Sequence, residues 1–259
     1  MKSTYQLSYY MRILLTVVVY ILFYAYIIYS CINANNIVSI ILFILIGLIF
    51  GGIGTLFELL RIWYDKATKK IIFEGKPEET LRLLDRIDRF DILKSFKTST
   101  RMMRMLAMID LRQFKKLLEY SKNLENNDYD VEIVRKYCEM MAHGEMGNKG
   151  KSNEAFKQLT GIRDQKDKKG RRYKGAYYFN WEVVNGQHKN YDRDYDAAYR
   201  YLKDVDEAKM NNRELMHYLS ARALAARNTG HLDEYKQLKE RLIRSCKDNT
   251  AMKDYSESL

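Results

Sequence analysis

The sequence predicts an all-α protein, with an N-terminal pair of transmembrane helices followed by a domain built from helical hairpins. Three observations carry this reading. Two uninterrupted apolar runs, 11–32 and 37–57, open the chain; proline occurs once, at Pro77; and beyond residue 65 apolar residues recur at helical spacing without any Asn-Gly turn between alternating stretches. Lys, Glu, Leu, Met, Arg and Ala dominate the periodic segments, in keeping with their helix propensities.

Each apolar run is long enough to cross ~30 Å of hydrocarbon as a helix. Residues 1–64 carry only Lys2, Arg12, Glu58 and Arg61 as charges, whereas charge is dense from Asp65 onward, so the chain divides into a membrane part, 1–64, and a soluble part, 65–259. The net charge of +11 belongs almost wholly to the soluble part. Only Asn33, Ala34, Asn35 and Asn36 separate the runs, which forces a tight antiparallel hairpin. Lys2 precedes the first run and Arg12 stands at its edge, and Arg61, Lys66, Lys69 and Lys70 follow the second in what reads as a short basic juncture. The connecting loop has no basic residue, so the positive-inside rule places both termini in the cytoplasm of a cell-membrane protein. Tyr5, Tyr9, Tyr10, Trp63 and Tyr64 fall where an inner interfacial belt would lie. A basic start before an apolar run also outlines a cleaved signal peptide, but this run is long for a signal core and a second follows at once. Ile28 to Cys31 outlines a bacterial lipobox into which Tyr29 fits poorly; even with Cys31 lipidated, the second span would return the chain to the cytoplasm.

Gly47, Gly51 and Gly54 stand at i, i+4 and i+7, leaving one face of the second span bare, and bare faces let helix backbones approach closely. Tyr20 and Tyr24 lie one turn apart within the first span, where their hydroxyls need partners. The bare face packs on the first helix of the same hairpin, on a second copy of the chain in a homodimer, or on a larger membrane partner. The central layers hold no Asp, Glu, Lys, Arg or His, which argues against a proton or ion pathway.

In the soluble part, Pro77 suits a first helical position beside Glu78 and Glu79, and Leu81, Leu83, Leu84 and Ile87 supply the apolar stripe. Helical signals then recur in pairs. The periodicity predicts helices over 99–108 and 111–124 turning at Asp110, over 130–145 and 152–162 turning around Gly147 and Gly150, and over 171–184 and 191–206 turning around Gly186. A last pair covers 212–227 and 231–244, turning at Asn228, Thr229 and Gly230. The second helices place Phe114, Ala155, Ala198 and Tyr235 in comparable spots, 41, 43 and 37 residues apart, and a helix-turn-helix period near 40 residues marks a helical solenoid.

In this the soluble part resembles the tetratricopeptide-repeat superfamily, most closely over Leu219 to Leu242, where Ala223, Ala226, Gly230, Tyr235 and Leu238 sit near the family's small and aromatic positions. The resemblance covers about Glu78 to Arg244. The sequence departs from the family in its longer units, against about 34 residues, and in Tyr235 where the second helix usually has a small residue. The resemblance implies a curved array whose inner face is built from the first helix of each pair and binds peptide segments of other proteins. A helical bundle of another kind is the alternative.

Tyr173, Tyr177 and Trp181 form a four-residue stripe with Tyr178 and Phe179 alongside, and Tyr191, Tyr195 and Tyr199 repeat the spacing on the following predicted helix. These aromatics either fill the core between pairs or wall a groove for a protein partner. Lys166, Lys168, Lys169, Arg171 and Arg172 form a basic cluster between Arg163 and Lys174, which is either a solvated loop or a contact for anionic lipid. No nucleic-acid-binding motif accompanies it. Cys31, Cys138 and Cys246 lie far apart, so neither a disulfide framework nor a metal site is indicated. Gly144, Gly147 and Gly150 do not follow a strand, as a phosphate cradle requires, and His143, His188, His217 and His231 lie in different elements without recognisable partners. No nucleophile with a base, acid pair or metal set has the required spacing, so the sequence predicts neither catalysis nor a cofactor. The resulting expectation is a bacterial membrane-tethered scaffold or adaptor that holds a cytosolic protein partner beside another membrane protein, such as a transporter or secretion machine. An enzyme of unrecognised type and a small pore subunit are the alternatives, and the oligomeric state is left open.

Overall fold

A computed structural model describes residues 2–124, 128–166, 170–171, 174–246 and 248–259. Twelve α-helices and two short 3-10 turns make up their regular structure, and residue contacts separate two units, Met1–Arg61 and Ile62–Leu259.

The first unit contains α1 (Lys2–Ile32) and most of α2 (Ile37–Ile72). Leu14–Ile32 and Ile37–Ile72 are both long and apolar enough to cross a membrane, with mean hydropathies of 2.1 and 2.8. Asn36 starts α2 by accepting from the Ser39 amide at 2.8 Å, and the Asn33 amide donates back to the Tyr29 carbonyl at 2.9 Å. Gly47, Gly51 and Gly54 all turn toward α1. A Cβ on Gly47 would lie 3.3 Å from Ile27, and one on Gly51 or Gly54 would collide with the hydroxyl of Tyr24 or Tyr20. The Tyr20 hydroxyl is buried without a hydrogen-bond partner.

The basic juncture expected at Lys66 to Lys70 is helical, because nothing before Gly75 interrupts α2. Gly75, at φ +64°, ends this stretch of chain, and Pro77 opens α3 (Pro77–Phe90) at its first position. There follow α4 (Lys97–Asp110), α5 (Phe114–Lys122), α6 (Tyr129–Glu145), α7 (Lys149–Arg163), α8 (Trp181–Asp192), α9 (Tyr195–Leu202), α10 (Asn212–Asn228), α11 (Leu232–Ser245) and α12 (Thr250–Ser258). Side-chain caps fix many of the starts: Asp128, Asn180, Asp194 and Asn249 each accept from a first-turn amide, and Asn211 with Glu214 forms a reciprocal capping box.

The second unit packs in a regular order. Helices α4, α6, α8 and α10 contact one another in sequence. Each of α5, α7, α9 and α11 packs both on the helix before it and on the helix after it. Phe114, Ala155, Ala198 and Tyr235 all fall on these intervening helices. Two apolar clusters fill the unit, one centred on α6 around Ile133, Met140 and Leu159, the other on α10 around Tyr218, Leu219 and Leu242.

The fourth pair differs from the predicted one. Residues 171–184 do not form one helix: a 3-10 turn at Lys174–Tyr177 precedes α8, whose N-cap is Asn180. Gly186 is not a turn but a buried position inside α8, and the turn lies at Arg193, φ +63°. Tyr191 therefore ends α8 and does not share a helix with Tyr195 and Tyr199. A Cβ on Gly186 would lie 2.5 Å from the Leu202 side chain, so helix contact, rather than chain reversal, requires glycine here. Gly186→Ala gains intrinsic helix propensity of about 1 kcal/mol but must displace Leu202, and a net loss of about 1 kcal/mol is expected in thermal unfolding of the detergent-solubilised chain. A variant more stable than the parent would show that Leu202 yields freely.

A buried ion cluster and the cavity beside it

The inward sides of α4, α6, α8 and α10, together with Tyr64, Thr68 and Ile72 of α2, surround a cavity of about 460 Å³. Met102, Met103, Leu106, Val134, Val183 and Val184 supply much of its apolar wall. Tyr137, Arg213 and His217 are among its polar residues.

Asp110 closes α4 with 1 % of its side chain exposed. It was expected as a turn; the turn instead occupies residues 111–113, with Arg112 at φ +54°. One carboxylate oxygen accepts from Arg213 Nε at 2.8 Å, the other lies 2.7 Å from His217 Nε2, and its backbone carbonyl accepts from the Asn249 side chain at 3.2 Å. His217, expected to lack partners, is thus tied across the interior to α4. Burial pushes the Asp110 carboxyl up, but the Arg213 charge and the His217 hydrogen bond outweigh it and hold it below its ordinary value. For Arg213 burial opposes the charge and Asp110 prevails, keeping the guanidinium protonated. Arg213 Nη2 is buried without an acceptor.

His217 also faces a second, smaller cavity of about 30 Å³, bordered by Arg112, Glu145, Tyr191 and Tyr255. Arg112 pairs with Glu145 at 2.6 Å and covers the Tyr255 ring at 3.8 Å, while the Tyr191 hydroxyl lies 3.2 Å from Glu145. The Tyr191 ring rests on Gly144, where any Cβ would collide with it.

The predicted aromatic site is divided. Tyr177 is exposed, and Tyr178 borders the large cavity and donates to Asp130 at 2.8 Å. Phe179 stacks on Tyr137 with ring centres 4.2 Å apart, and Trp181 packs against the α6 core under Arg163 at 4.8 Å. Tyr199 donates to Glu234 at 2.6 Å and stacks on His231. Lys166 and Arg171 are exposed. Tyr173, Lys168, Lys169 and Arg172 lie outside the described residues.

His188 is held by Asn153 at 2.7 Å and stacked on Phe156. Cys138 is fully buried, and burial raises its thiol pKa. Among the described residues no group of three or more His, Cys, Asp or Glu could hold a metal ion. The Asp110 cluster was missed because its partners lie more than 100 residues apart. The one local signal is the i, i+4 placement of Arg213 and His217 on a helix otherwise rich in buried apolar residues.

Together these features define an all-helical chain with two helices apolar enough to span a membrane, followed by a helical unit with an open cavity beside a buried ion cluster. Comparison with protein-family models, curated proteins and solved structures finds no match for it.

Proposed function

We propose that the protein is a membrane-tethered, non-catalytic adaptor. Residues 11–32 and 37–57 cross the cell membrane with both termini in the cytoplasm, and a tetratricopeptide-like array holds a protein partner there, beside another membrane protein. The observation that carries the reading is the packing order of the second unit. First helices neighbour one another, and α5, α7 and α9 each bridge two successive first helices, which is the nearest-neighbour pattern of a stacked helical-hairpin array. The inner face then comprises α4, α6, α8 and α10, the helices around the large cavity. Tyr177, 73 % exposed, and Tyr178 at the cavity edge offer the aromatic side chains that most often anchor partners.

Affinity purification of the full chain from mild detergent should recover a protein that is lost when Tyr177→Ser and Tyr178→Ser are combined. Truncating a central aromatic anchor costs about 2 kcal/mol or more, roughly thirtyfold in affinity. A chain that purifies alone, or one whose companion survives both substitutions, counts against this assignment of the partner site.

A further inference from the structure

The connection between α3 and α4 is a rigid turn that carries apolar side chains on its tip. Ile92 is 79 % exposed and Leu93 68 %, and no apolar residue described as exposed in the second unit is more open than Ile92. Their exposure does not come from a loose loop. The Asp91 carboxylate accepts from the amides of Ser95 at 2.9 Å and Phe96 at 2.7 Å, and the Lys94 amide returns to the Asp91 carbonyl at 3.0 Å. Lys94 takes the left-handed conformation at φ +55°, which a non-glycine residue adopts at a cost. Both ends of the turn are pinned to α2 by ring contacts, Phe90 on Trp63 at 5.8 Å and Phe96 on Tyr64 at 5.7 Å. Such a turn holds two large aliphatic side chains in water, an arrangement that the hydrophobic effect opposes unless something covers them.

We propose that this turn docks on a membrane, inserting Ile92 and Leu93 into the interfacial layer of a bilayer that contains anionic lipid. Two features select a bilayer as the occupant. Arg86 and Arg89 on α3 and Lys94 in the turn are exposed, while Asp85 and Asp88 share Arg104 at 2.7 Å and Asp91 holds the turn, so with Arg104 counted the cations here outnumber the acids. Exposed aliphatic side chains with exposed cations close by in the sequence match the combination of apolar burial and charge attraction by which surface elements bind anionic membranes. The chain also brings its own bilayer. Trp63, on which Phe90 packs, follows the end of the second apolar run at Phe57 by only six residues in the sequence. Aromatic residues that closely follow a span in sequence are enriched in the interfacial belt. The turn thus acts as a second contact point, holding the helical unit against the surface in addition to the tether.

This inference rests on the reading that residues 11–57 cross the bilayer, so the test carries a reporter for each. In a Cys31→Ser background, where Cys138 and Cys246 are buried, an environment-sensitive fluorophore is attached at Leu93→Cys, at Leu45→Cys within the second span, or at Leu232→Cys, an exposed apolar position elsewhere on the second unit. The full chain is reconstituted in phosphatidylcholine–phosphatidylglycerol vesicles containing phosphatidylcholine spin-labelled either near the headgroup or near the chain end. Insertion into the outer 5–10 Å of the bilayer should make the Leu93 probe lose about half its emission to the shallow quencher and less to the deep one. The Leu45 probe should respond most to the deep quencher, and the Leu232 probe to neither. A Leu93 probe as insensitive as that at Leu232, with Leu45 quenched, overturns the docking turn and leaves the anchor standing. A Leu93 probe shielded from water yet untouched by either quencher assigns the tip to a protein surface and also overturns it. An unquenched Leu45 probe removes the anchor and the docking turn together.

Discussion

Asp110→Ala is expected to destabilise the second unit by about 3–5 kcal/mol, as much as the whole stability of a marginal domain. The loss comes from the ion that remains rather than from the bond that goes. Arg213 is almost fully buried, one of its nitrogens already lacks an acceptor, and without Asp110 its charge would stand in the interior unpaired. Replacing the cluster as a set, with Asp110→Ala, Arg213→Met and His217→Leu together, should recover most of the loss, because matched apolar side chains carry no desolvation penalty. Thermal unfolding of the detergent-solubilised chain, followed by circular dichroism, measures both. A single variant that melts with the parent would show that water or a counterion replaces Asp110. The pH dependence has a definite sign. The folded chain holds the Asp110 pKa below its ordinary 3.8, so this stabilisation is fully present above that value and is lost as pH falls through the lower folded value. The gap between parent and Asp110→Ala should therefore be widest near neutrality and close on strong acidification.

Gly51→Leu is expected to weaken the α1–α2 hairpin by about 1–3 kcal/mol, the usual penalty of forcing extra carbons into a closed contact. The Tyr24 hydroxyl occupies the place a Cβ would take, so the helices must separate or the tyrosine must leave its site. Gly52 supplies the control, since a Cβ there meets nothing within 4 Å and Gly52→Leu should leave the hairpin unchanged. Combining Gly51→Ala with Tyr24→Phe removes the closest atom, leaving ring carbon Cζ at 2.9 Å, and should cost less than Gly51→Ala alone. The readout is the rate at which cysteines placed on facing positions of α1 and α2 cross-link in detergent. Equal effects of leucine at 51 and 52 would mean that the glycine face is not packed on Tyr24.

Much of the fold was legible because it is written in local pattern. The two apolar runs, the single proline at the start of α3, and the turns at Gly147 and Gly230, both at positive φ, needed only composition and spacing. The glycine face was legible as a bare surface, and Tyr20 and Tyr24 as side chains in need of neighbours. That these features meet could not be read, because the relative rotation of two helices is set by their contact. Gly186 misled for a related reason: glycine marks a turn in a sequence, yet here it is required by the approach of Leu202 from another helix. Tyr177 and Trp181 fall in different elements because Asn180 starts a new helix between them, and capping depends on which amides lack a partner.

The sequence by itself determined the helical class, the two candidate spans and nearly every hairpin of the second unit, since hydrophobic period, helix propensity and turn residues act over a few neighbouring residues. The tertiary structure alone decided the interior. Asp110 joined Arg213 and His217 across more than 100 residues, Ile92 and Leu93 were left outside by an anchored turn, and a cavity of about 460 Å³ remained between α2, α4, α6, α8 and α10. Ion pairs, exposure and empty volume are properties of surfaces brought together, and no local periodicity encodes which surfaces will meet.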